Sequence, residues 1–242
     1  NIKNKGLVYS LNKALDHVNG QYIARMDADD ICNVERFMKQ VDYLNRHPDV
    51  GVLGTFAQII NEDGHVLGDL KTSIEDYQIR KKMFLDSPFI HPSMMIRNDI
   101  LQDQRYDIDF HRVEDFELWV RLATRTKFHN LPEFLLKYRI VAMSETRLMN
   151  QFAYEKGKKL MGIYRQLFIN YSIDFTESEL LNYSLFMNKA NFNQLDIHVL
   201  FKFLKKNRFF SNKQIFTRMG YCCIVRKQYK ILLKLVLGLN LL

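Results

Sequence analysis

The sequence predicts an α/β fold in which a mostly parallel mixed sheet is flanked by helices and followed by a C-terminal helical region. First, 242 residues with a hydrophobic fraction of 47% are enough to bury a sizeable core. Second, helical and strand patterns alternate over residues 5–56, as they do where crossover helices join parallel strands. Third, the patterns from Thr146 onward are helical, and Thr176-Glu177-Ser178-Glu179 predicts a capping box at the start of one of these helices. We therefore expect two domains, at 1–145 and 146–242.

The first two elements lead into a cluster of carboxylates. Apolar residues at helical spacing predict a helix over residues 5–18, and residues 22–26 have the aromatic and β-branched bias of a buried strand. Asp27, Asp29 and Asp30 follow at once, and no other stretch of the chain concentrates charge in this way. We call residues 27–30 the acidic turn.

Two interpretations of the acidic turn are open. Ligands of open α/β sheets bind at the C-terminal ends of the strands. A hard divalent cation such as Mg²⁺ or Mn²⁺ would offset the repulsion between the carboxylates and clamp a diphosphate there. Alternatively, Asp30 caps the next helix, and Asp27 and Asp29 are solvated turn residues. The D-x-D-D pattern by itself favours neither interpretation.

The segments that follow continue the alternation. Asn33 is the expected N-cap of a helix that ends before Pro48 and has Phe37, Val41 and Leu44 on one face. Beyond this helix the patterns predict a buried strand at 50–56, a hairpin of strands 56–60 and 65–69, a helix at 74–84, a loop at 87–92, a short strand at 93–96 and a strand at 134–141.

A second pair of carboxylates opens a further predicted helix. Glu114 and Asp115 lie in its first turn, ahead of an apolar stripe of Leu118, Trp119 and Leu122. Acids at this position can serve only to complement the helix dipole. The same N-terminus can also hold a carboxylate ionised and fixed in direction, as a general base for a sugar hydroxyl must be.

The positive charge is confined to the C-terminal part of the chain. The net charge is +8, and residues 197–242 hold ten Lys and Arg and no acid, so residues 1–196 have 25 basic and 27 acidic residues. A slightly acidic body argues against nucleic-acid binding. Segments 195–206 and 214–237 interleave apolar and basic residues, which is typical either of a helix lying on an anionic membrane or of a packed helical cap with a solvated basic face.

Cysteine usage and hydropathy favour a cytoplasmic protein. The three cysteines make no disulfide framework. No signal peptide opens the sequence, and no apolar run approaches the roughly 20 residues that span a bilayer. If the basic tail binds lipid, the protein lies at the inner face of the plasma membrane. Because the sequence opens with Asn1 rather than Met, we also expect the true start to lie upstream.

Several short motifs occur in a fixed order over residues 1–145. They are Asn4-Lys5-Gly6-Leu7 with Ser10-Leu11-Asn12, Ala24-Arg25-Met26-Asp27-Ala28-Asp29-Asp30, Arg36-Phe37 with Lys39-Gln40, Gly51 with Gly54-Thr55, His91-Pro92-Ser93, Glu114-Asp115 with Leu118-Trp119 and Arg121-Leu122, and Tyr138-Arg139. In this order they resemble the motifs of the family 2 glycosyltransferases of GT-A fold, especially bacterial enzymes of surface-polysaccharide assembly. The resemblance implies a GT-A, Rossmann-like sheet.

The resemblance also implies a donor site at the acidic turn. In that family the turn binds Mn²⁺ or Mg²⁺ on the diphosphate of a nucleotide sugar. Asp29 would be the principal metal ligand, with Asp27 near the ribose or the metal. Asp30 would support the turn, and Arg25 would belong to the same nucleotide-sugar site.

On the other side of the expected cleft, Asp115 matches the base that deprotonates the acceptor, and Glu114 would orient the site. The base acts while the hydroxyl attacks the anomeric carbon opposite the nucleotide, which implies inversion. His91, Trp119 and Arg139 are expected on the acceptor side. From the residues alone, His91 could face a substrate, although such a histidine is more often a surface loop residue.

Three departures from the family pattern stand out. An opening strand with a Pro-x-Tyr-Asn-like motif and a second strand with base-binding and ribose-binding aspartates are both absent from the sequence. Half of the nucleotide pocket is therefore expected to be missing. Val141 stands where many relatives have a His that completes the metal site. No Gln-x-x-Arg-Trp motif of the processive synthases appears, which favours addition of a single sugar.

The sequence thus predicts a metal-dependent, inverting glycosyltransferase of cell-surface polysaccharide biosynthesis. Its donor would be a nucleotide sugar, with UDP-sugars favoured, and its acceptor a saccharide or a lipid-linked saccharide. A metal-dependent phosphohydrolase would need a nucleophilic Asp and a Lys-bearing motif, which the sequence lacks. The alternative from another class is a truncated, non-catalytic remnant or accessory subunit.

Overall fold

A computed structural model of the chain describes residues 3–141, 153–188 and 195–208, together with residues 215 and 219. The chain divides into two compact units, Asn1–Met149 and Asn150–Leu242. The predicted domain boundary at 145/146 lies outside the described residues and stays a prediction. Within the described ranges, no helix is long and apolar enough to cross a membrane.

The first unit combines helices and strands, whereas the elements of the second are helical. The helices are α1 Leu7–Leu15, α2 Arg36–Arg46, α3 Asp76–Met83, α4 Asn98–Leu101, α5 Glu114–Leu122, α6 Ala153–Asn170, α7 Glu177–Met187 and α8 Ile197–Lys206. The strands are β1 Tyr22–Ala24, β2 Ile31–Cys32, β3 Val50–Ile60, β4 Val66–Leu70, β5 Met95–Arg97 and β6 Lys127–Arg139.

The strands form a single mixed sheet in the order β1-β5-β3-β6-β2, with β4 paired to the second half of β3. The predicted α/β fold with a mixed sheet and flanking helices is confirmed. The sheet is mostly antiparallel rather than mostly parallel as predicted. Strands β3 and β6 are parallel, and the other four pairings of the described strands are antiparallel. The connection from β3 to β6 contains helices that carry the chain back across the sheet, whereas a tight turn joins β3 to β4 and forces them to be antiparallel.

Strand β6 is longer than the predicted strand at 134–141, since it begins at Lys127. Pro132 lies within it, and a proline cannot donate a hydrogen bond to a neighbouring strand. The pairing accommodates this residue by a shift in register between Thr55 and Phe56 of β3. Such irregularities are where a strand interior tolerates proline. The hairpin between β3 and β4 forms as predicted, and Gly64 in its turn has a φ of 89°.

The prediction of a buried first strand was wrong, and the buried face of α2 is not the predicted apolar one. Strand β1 is a short edge strand rather than a buried one, and Met26 beyond it is 41% exposed. Helix α2 buries Arg36, Gln40 and Leu44, while Phe37 is 50% exposed. Asn33 is not the N-cap of α2, although its Oδ1 accepts the backbone N–H of Glu35 at 2.9 Å and so stabilises the turn before the helix.

Apolar side chains fill the space between α2 and the sheet. Leu44 of α2 packs into a cluster with Val50, Leu53, Met95 and Leu131. Phe89 meets the rings of Trp119 and Phe128 edge to face, at centroid distances of 5.3 and 5.4 Å. The first unit therefore has a well-packed core behind the acidic turn and α5.

The described part of the second unit contains α6, α7 and α8. The predicted capping box before α7 is confirmed, because Thr176 and Glu179 exchange side-chain to backbone hydrogen bonds. Phe168 of α6 packs against Tyr183 and Phe203, at centroid distances of 5.0 and 5.4 Å. In α8 the apolar face is buried, which matches the packed-helix interpretation of segment 195–206. Segment 214–237 lies outside the described residues except for positions 215 and 219.

Candidate active site

The backbone just before the acidic turn is held from two sides. Arg25 N–H donates to the carbonyl of Met94 at 2.9 Å, which extends the pairing of β1 with β5. The carbonyl of Arg25 accepts a hydrogen bond of 2.6 Å from Nη2 of Arg36, a residue with no exposed surface. The turn closes on itself through a 3.3 Å bond from Asp30 N–H to the carbonyl of Asp27. The position of the carboxylates is thus fixed by the sheet and by α2.

The three carboxylates of the turn lie in different environments. Asp27 accepts both Nη groups of Arg25, at 2.8 and 2.7 Å. Asp30 is buried, and its Oδ1 accepts the N–H of Arg139 at 2.8 Å, while Oδ2 has no hydrogen-bond partner among the described residues. Asp29 is exposed, and in the same described set its carboxylate makes no hydrogen bond or ion pair. Only Asp29 therefore presents a free carboxylate.

The contacts of Asp30 decide one of the open questions. Asp30 does not cap α2, since that helix begins at Arg36 and Asp30 instead holds the backbone of β6. Burial raises the pKa of Asp30 to about 6, and the charges of Asp27 and Asp29 act in the same direction. The N–H of Arg139 opposes this shift. Asp30 thus connects the acidic turn to the sheet through the backbone of Arg139.

The acidic turn has a donor set that suits a cation shared with a substrate. Within the described ranges, no group of three His, Cys, Asp or Glu side chains could hold a metal ion by itself. Mg²⁺ and similar ions, however, commonly use one or two carboxylates together with substrate phosphates. Asp29 offers one free carboxylate. Asp27 offers a second only if Arg25 leaves it, because both of its oxygens are engaged.

A buried polar network under the turn was not foreseen from the sequence. Nε of Arg36 donates to Gln40 Oε1 at 3.1 Å, and Gln40 Nε2 donates to the carbonyls of Leu53 and Ser93 at 3.2 and 2.9 Å. This network joins α2 to β3 and to the loop before β5. The available signal was the spacing of Arg36 and Gln40, which places both on the same helix face as Leu44.

The first turn of α5 holds the second pair of carboxylates, as predicted. Asp115 is half-buried, and its Oδ2 accepts a 3.1 Å hydrogen bond from Ser87 Oγ. Glu114 is only 4% exposed, and its Oε2 has no partner in the described part of the chain. Of the two, Asp115 is the more exposed.

Burial is the main influence on both acids of α5. It raises the pKa of Asp115, against the N–H of Phe116, the hydroxyl of Ser87 and the charge of Arg25. It also raises the pKa of Glu114, with the charge of Asp115 acting in the same direction. Asp115 is therefore a more basic carboxylate than a free aspartate, and it is held in place by named donors.

Arg25 is the residue that the two acidic clusters share. Its charge lowers the pKa of Asp30 in the acidic turn and of Glu114 and Asp115 in α5, each against the larger effect of burial. It also lowers the pKa of His91. One guanidinium thus pairs with Asp27 and lies within electrostatic reach of Asp30, Glu114 and Asp115.

Comparison with known proteins fits this arrangement. Residues 1–104 match the family described as Glycosyl transferase family 2. This part of the chain is a family 2 glycosyltransferase domain. The predicted resemblance is thereby confirmed, and the sheet has the GT-A architecture.

Relatives of the glycosyltransferase domain come from archaea and bacteria. The chain is 38% identical to an uncharacterized glycosyltransferase of Methanocaldococcus jannaschii over 142 residues, which is 58% of this chain and 49% of that protein. It is 35% identical to the amylovoran biosynthesis glycosyltransferase AmsE of Erwinia amylovora over 140 residues, 57% of this chain and 52% of that protein. The chain thus spans about half the length of these relatives.

A solved structure shares the fold. It is that of S. aureus TarS, residues 1–349, in complex with UDP-GlcNAc. The TM-score is 0.51 at 13% identity, over 90% of this chain and 61% of that one. At this identity the likeness concerns the fold alone.

Of the three residues predicted on the acceptor side, the role of His91 stays a prediction. His91 is half-buried, and its Nε2 lies 3.0 Å from the hydroxyl of Tyr106. Burial, with the charge of Arg25, lowers the pKa of His91 well below its usual value, so the imidazole is neutral. Tyr106 was not foreseen, since it is separated from His91 by 14 intervening residues in the printed sequence.

The structure corrects the other two. Trp119 has no exposed surface and packs edge to face beneath His91 and Phe89, so it cannot touch an acceptor. Arg139 uses its guanidinium on the backbone carbonyls of Asp29, Asn61 and Glu62, at 2.7, 2.8 and 2.6 Å. Through these contacts Arg139 connects the acidic turn to the β3–β4 turn. The sequence could not predict these contacts of Arg139, because the acceptors are backbone atoms.

Surface depressions elsewhere on the glycosyltransferase domain do not involve these residues. Two of about 250 Å³ each lie near the α4 end of the sheet and share Asn98 and Gln102 in their linings. Neither is lined by a residue of the acidic turn or of α5.

Proposed function

We propose that the chain is a metal-dependent, inverting glycosyltransferase that moves one sugar from a nucleotide-sugar donor to a saccharide or lipid-linked acceptor in cell-surface polysaccharide biosynthesis. The observation that carries the proposal is the arrangement around Arg25. Asp27 of the acidic turn pairs with this guanidinium, and the charge of the guanidinium also lowers the pKa of Asp115 in α5. The relative named for amylovoran biosynthesis supports the pathway class.

At the donor side, Asp29 and Asp27 would hold Mn²⁺ or Mg²⁺. When bound, the ion would neutralise charge on the diphosphate leaving group. Arg139 keeps the backbone of Asp29 in place, and Asp30 joins the turn to β6. The chain's own contribution is therefore a rigid turn that presents one free carboxylate toward the donor.

At the acceptor side, Asp115 would accept the proton of the attacking hydroxyl on its carboxylate. Ser87 fixes the direction of that carboxylate, and the raised pKa brings it closer to the range in which a general base works well. Attack from the side of α5, opposite the nucleotide, inverts the anomeric centre. Glu114 would orient the site, because its carboxylate is buried beside Asp115.

The nature of the donor and the place of action belong to the same proposal. TarS, which shares the fold, was solved with UDP-GlcNAc, and this supports a UDP-sugar as the first donor to test. We place the enzyme in the cytoplasm at the inner face of the plasma membrane. For contact with the membrane through the basic tail, the structure describes only residues 197–208, 215 and 219 of that tail. A non-catalytic accessory subunit remains the competing assignment.

A direct test measures nucleotide binding and transfer separately. The chain and its Asp29→Ala, Asp115→Asn and Asp63→Ala variants are titrated with UDP and Mn²⁺ by calorimetry and assayed with UDP-, GDP- and dTDP-sugars. Asp29→Ala should lose Mn²⁺-dependent binding. Asp115→Asn should bind normally yet transfer about 10²- to 10⁴-fold more slowly, as expected for a lost general base. Asp63, in the exposed β3–β4 turn, is the control and should change neither.

The outcomes separate the two assignments. Binding and turnover that follow this pattern support the enzyme. A chain that binds no nucleotide and turns over no donor is an accessory subunit. Normal transfer by Asp115→Asn would move the base elsewhere, with Glu114 next in line.

A further inference from the structure

Asp27, the second carboxylate of the proposed metal site, is already paired with the guanidinium of Arg25. Both Nη atoms of Arg25 lie on Asp27, at 2.8 and 2.7 Å. The side chain of Arg25 is 10% exposed and that of Asp27 is 37% exposed, so the ion pair is partly buried and closed to bulk water on one side. A bidentate pair in such a setting is stronger and more directional than a surface pair.

We propose that Arg25 is an internal competitor for the metal ion at Asp27, and that this competition couples metal binding to the binding of the donor diphosphate. The inference rests on the proposed function, since it concerns the same acidic turn. It adds a role for Arg25 that a simple donor contact does not include. In the absence of nucleotide, the guanidinium neutralises Asp27 and leaves Asp29 as the one free carboxylate of the turn.

A metal ion that binds both carboxylates must displace the guanidinium. The displaced group cannot go far, because the backbone of Arg25 is pinned by Met94 and Arg36. Its Nε is already buried without a partner among the described residues. A guanidinium left without an anion in this partly buried position is costly. Metal binding alone is therefore opposed.

A diphosphate removes that cost. Phosphate oxygens match the planar, bidentate donor geometry of a guanidinium. With the diphosphate present, Arg25 exchanges a carboxylate for a phosphate, and Asp27 becomes free for the metal. Each ligand then lowers the cost of binding the other. Such a coupling is reciprocal, and typical values change affinity by about 5- to 150-fold.

The carboxylates of α5 do not offer the same exchange. Asp115 already accepts the hydroxyl of Ser87, and Glu114 is buried beside it. Asp30 uses only Oδ1 on the backbone of β6, and its Oδ2, like Oε2 of Glu114, is buried without a partner among the described residues. Neither of these buried oxygens is exposed to the cleft side as a diphosphate would be when it binds with the metal. The incoming diphosphate is thus the acceptor that suits the displaced guanidinium.

The test compares Mn²⁺ affinity with and without saturating UDP, by electron paramagnetic resonance of free Mn²⁺. The wild-type chain should bind Mn²⁺ weakly alone and at least about 5-fold more tightly with UDP. Arg25→Met should bind Mn²⁺ alone more tightly than wild type, and UDP should add little. Arg25→Lys, which keeps the charge but not the bidentate geometry, should fall between them.

A matched control removes a nearby charge that does not touch Asp27. Lys137 of β6 is exposed and lies opposite Ile31, directly after the acidic turn. Lys137→Met should leave the effect of UDP on Mn²⁺ affinity as in wild type. If Lys137→Met and Arg25→Met behave alike, a general loss of positive charge explains both, and the competition is refuted.

A second variant tests the exchange from the other side. Asp27→Asn releases the guanidinium, so UDP without any metal should bind this variant more tightly than it binds wild type. Equal affinities would overturn the inference, as would an unchanged Mn²⁺ affinity in Arg25→Met. These results are separable from failure of the proposed function. A wild-type chain that binds neither Mn²⁺ nor Mn²⁺ with UDP overturns both, whereas normal Mn²⁺–UDP binding without the coupling overturns the inference alone.

Discussion

Arg36 fixes the backbone of Arg25, since its buried Nη2 donates to the Arg25 carbonyl over 2.6 Å. The same guanidinium donates to Gln40 and, at 3.4 Å, to the carbonyl of Met94. Burial lowers the pKa of Arg36, and the charge of Arg25 acts in the same direction. Burial of the charged Arg36 guanidinium is unfavourable in itself. Its hydrogen bonds hold the end of β1, where the acidic turn begins.

Arg36→Met should therefore destabilise the first unit by about 2–3 kcal/mol, because it removes the donor to buried acceptors on Arg25 and Gln40. Urea unfolding followed by tryptophan fluorescence measures this unit alone, since Trp119 is the only tryptophan of the chain and is fully buried in it. Arg46→Met on the same helix is the control. Arg46 pairs with Asp42 at the surface, and its loss should cost less than about 0.5 kcal/mol. Equal losses for the two variants would contradict the assigned role.

Gly54 in β3 is expected to be as sensitive as a large core residue. A Cβ at this position would overlap Oδ1 of the buried Asn130 and lie 3.0 Å from Sδ of Met94. Asn130 cannot move aside freely, because its Nδ2 donates to the carbonyl of Ser73 at 2.7 Å. Gly54→Ala should cost about 1–3 kcal/mol by overpacking, measured by the same fluorescence assay.

Gly68 in β4 supplies the matched control for Gly54. An added Cβ there meets no atom within 4 Å. Gly68→Ala should change stability by no more than about 1 kcal/mol, in the favourable direction, since alanine restricts the unfolded chain. A similar loss at both glycines would point to a general intolerance of the strands rather than to crowding at Asn130.

The sequence predicted those features that depend on neighbours along the chain. Helices α1, α3 and α5, the β3–β4 hairpin and the capping box of α7 follow from local spacing and turn residues. The acidic turn and the acids at the start of α5 were likewise visible as local concentrations of charge. Local patterns could place these carboxylates at the ends of elements but could not bring the two groups together.

What the sequence could not predict depends on partners far along the chain. Ser87 holds Asp115 across 27 intervening residues, and Arg36 reaches Met94 across 57, so no spacing rule connects them. The spacing of apolar residues put Phe37 on the expected apolar face of α2. Two of the buried positions of this helix are instead the polar residues Arg36 and Gln40, which donate to backbone carbonyls of other elements. Trp119 was assigned to the acceptor by its motif, but its burial follows from packing against Phe89.

Glu114→Gln should stabilise the first unit at neutral pH. Burial raises the pKa of Glu114 in the folded chain, so its contribution to stability decreases as the pH rises from the ordinary glutamate value through the raised pKa. A glutamine avoids the cost of an ionised, unpartnered Oε2, which we put on the order of 1 kcal/mol. The gain, measured by urea unfolding at a series of pH values, should shrink toward zero as the pH falls toward the ordinary glutamate pKa.

Glu117→Gln on the same helix should have the opposite sign. Glu117 pairs with Arg121 at 2.7 Å, so its neutralisation removes a favourable interaction of up to about 1 kcal/mol. If Glu114→Gln is also destabilising at neutral pH, the carboxylate of Glu114 is stabilised when ionised, and its assignment as a buried orienting group is wrong.

The acid side of the pH profile for transfer should report the ionisation of Asp115, and two neighbours should move it in opposite directions. A general base works only when ionised, so the rate falls as the pH drops through its pKa, which burial raises above the ordinary aspartate value. The hydroxyl of Ser87 stabilises the ionised form by a 3.1 Å hydrogen bond to Oδ2. Ser87→Ala should therefore shift the acid limb of kcat/KM to higher pH.

The charge of Asp86 raises the same pKa, so Asp86→Asn should shift the limb to lower pH. Asparagine keeps the Oδ1 that accepts the Ser87 N–H at 2.9 Å, so the backbone beside the base is preserved. A structural disturbance would lower the rate at all pH values, whereas these substitutions should displace the limb and leave the plateau within about 10-fold of wild type. Shifts of the same sign in both variants, or none in either, would show that the acid limb belongs to a group other than Asp115.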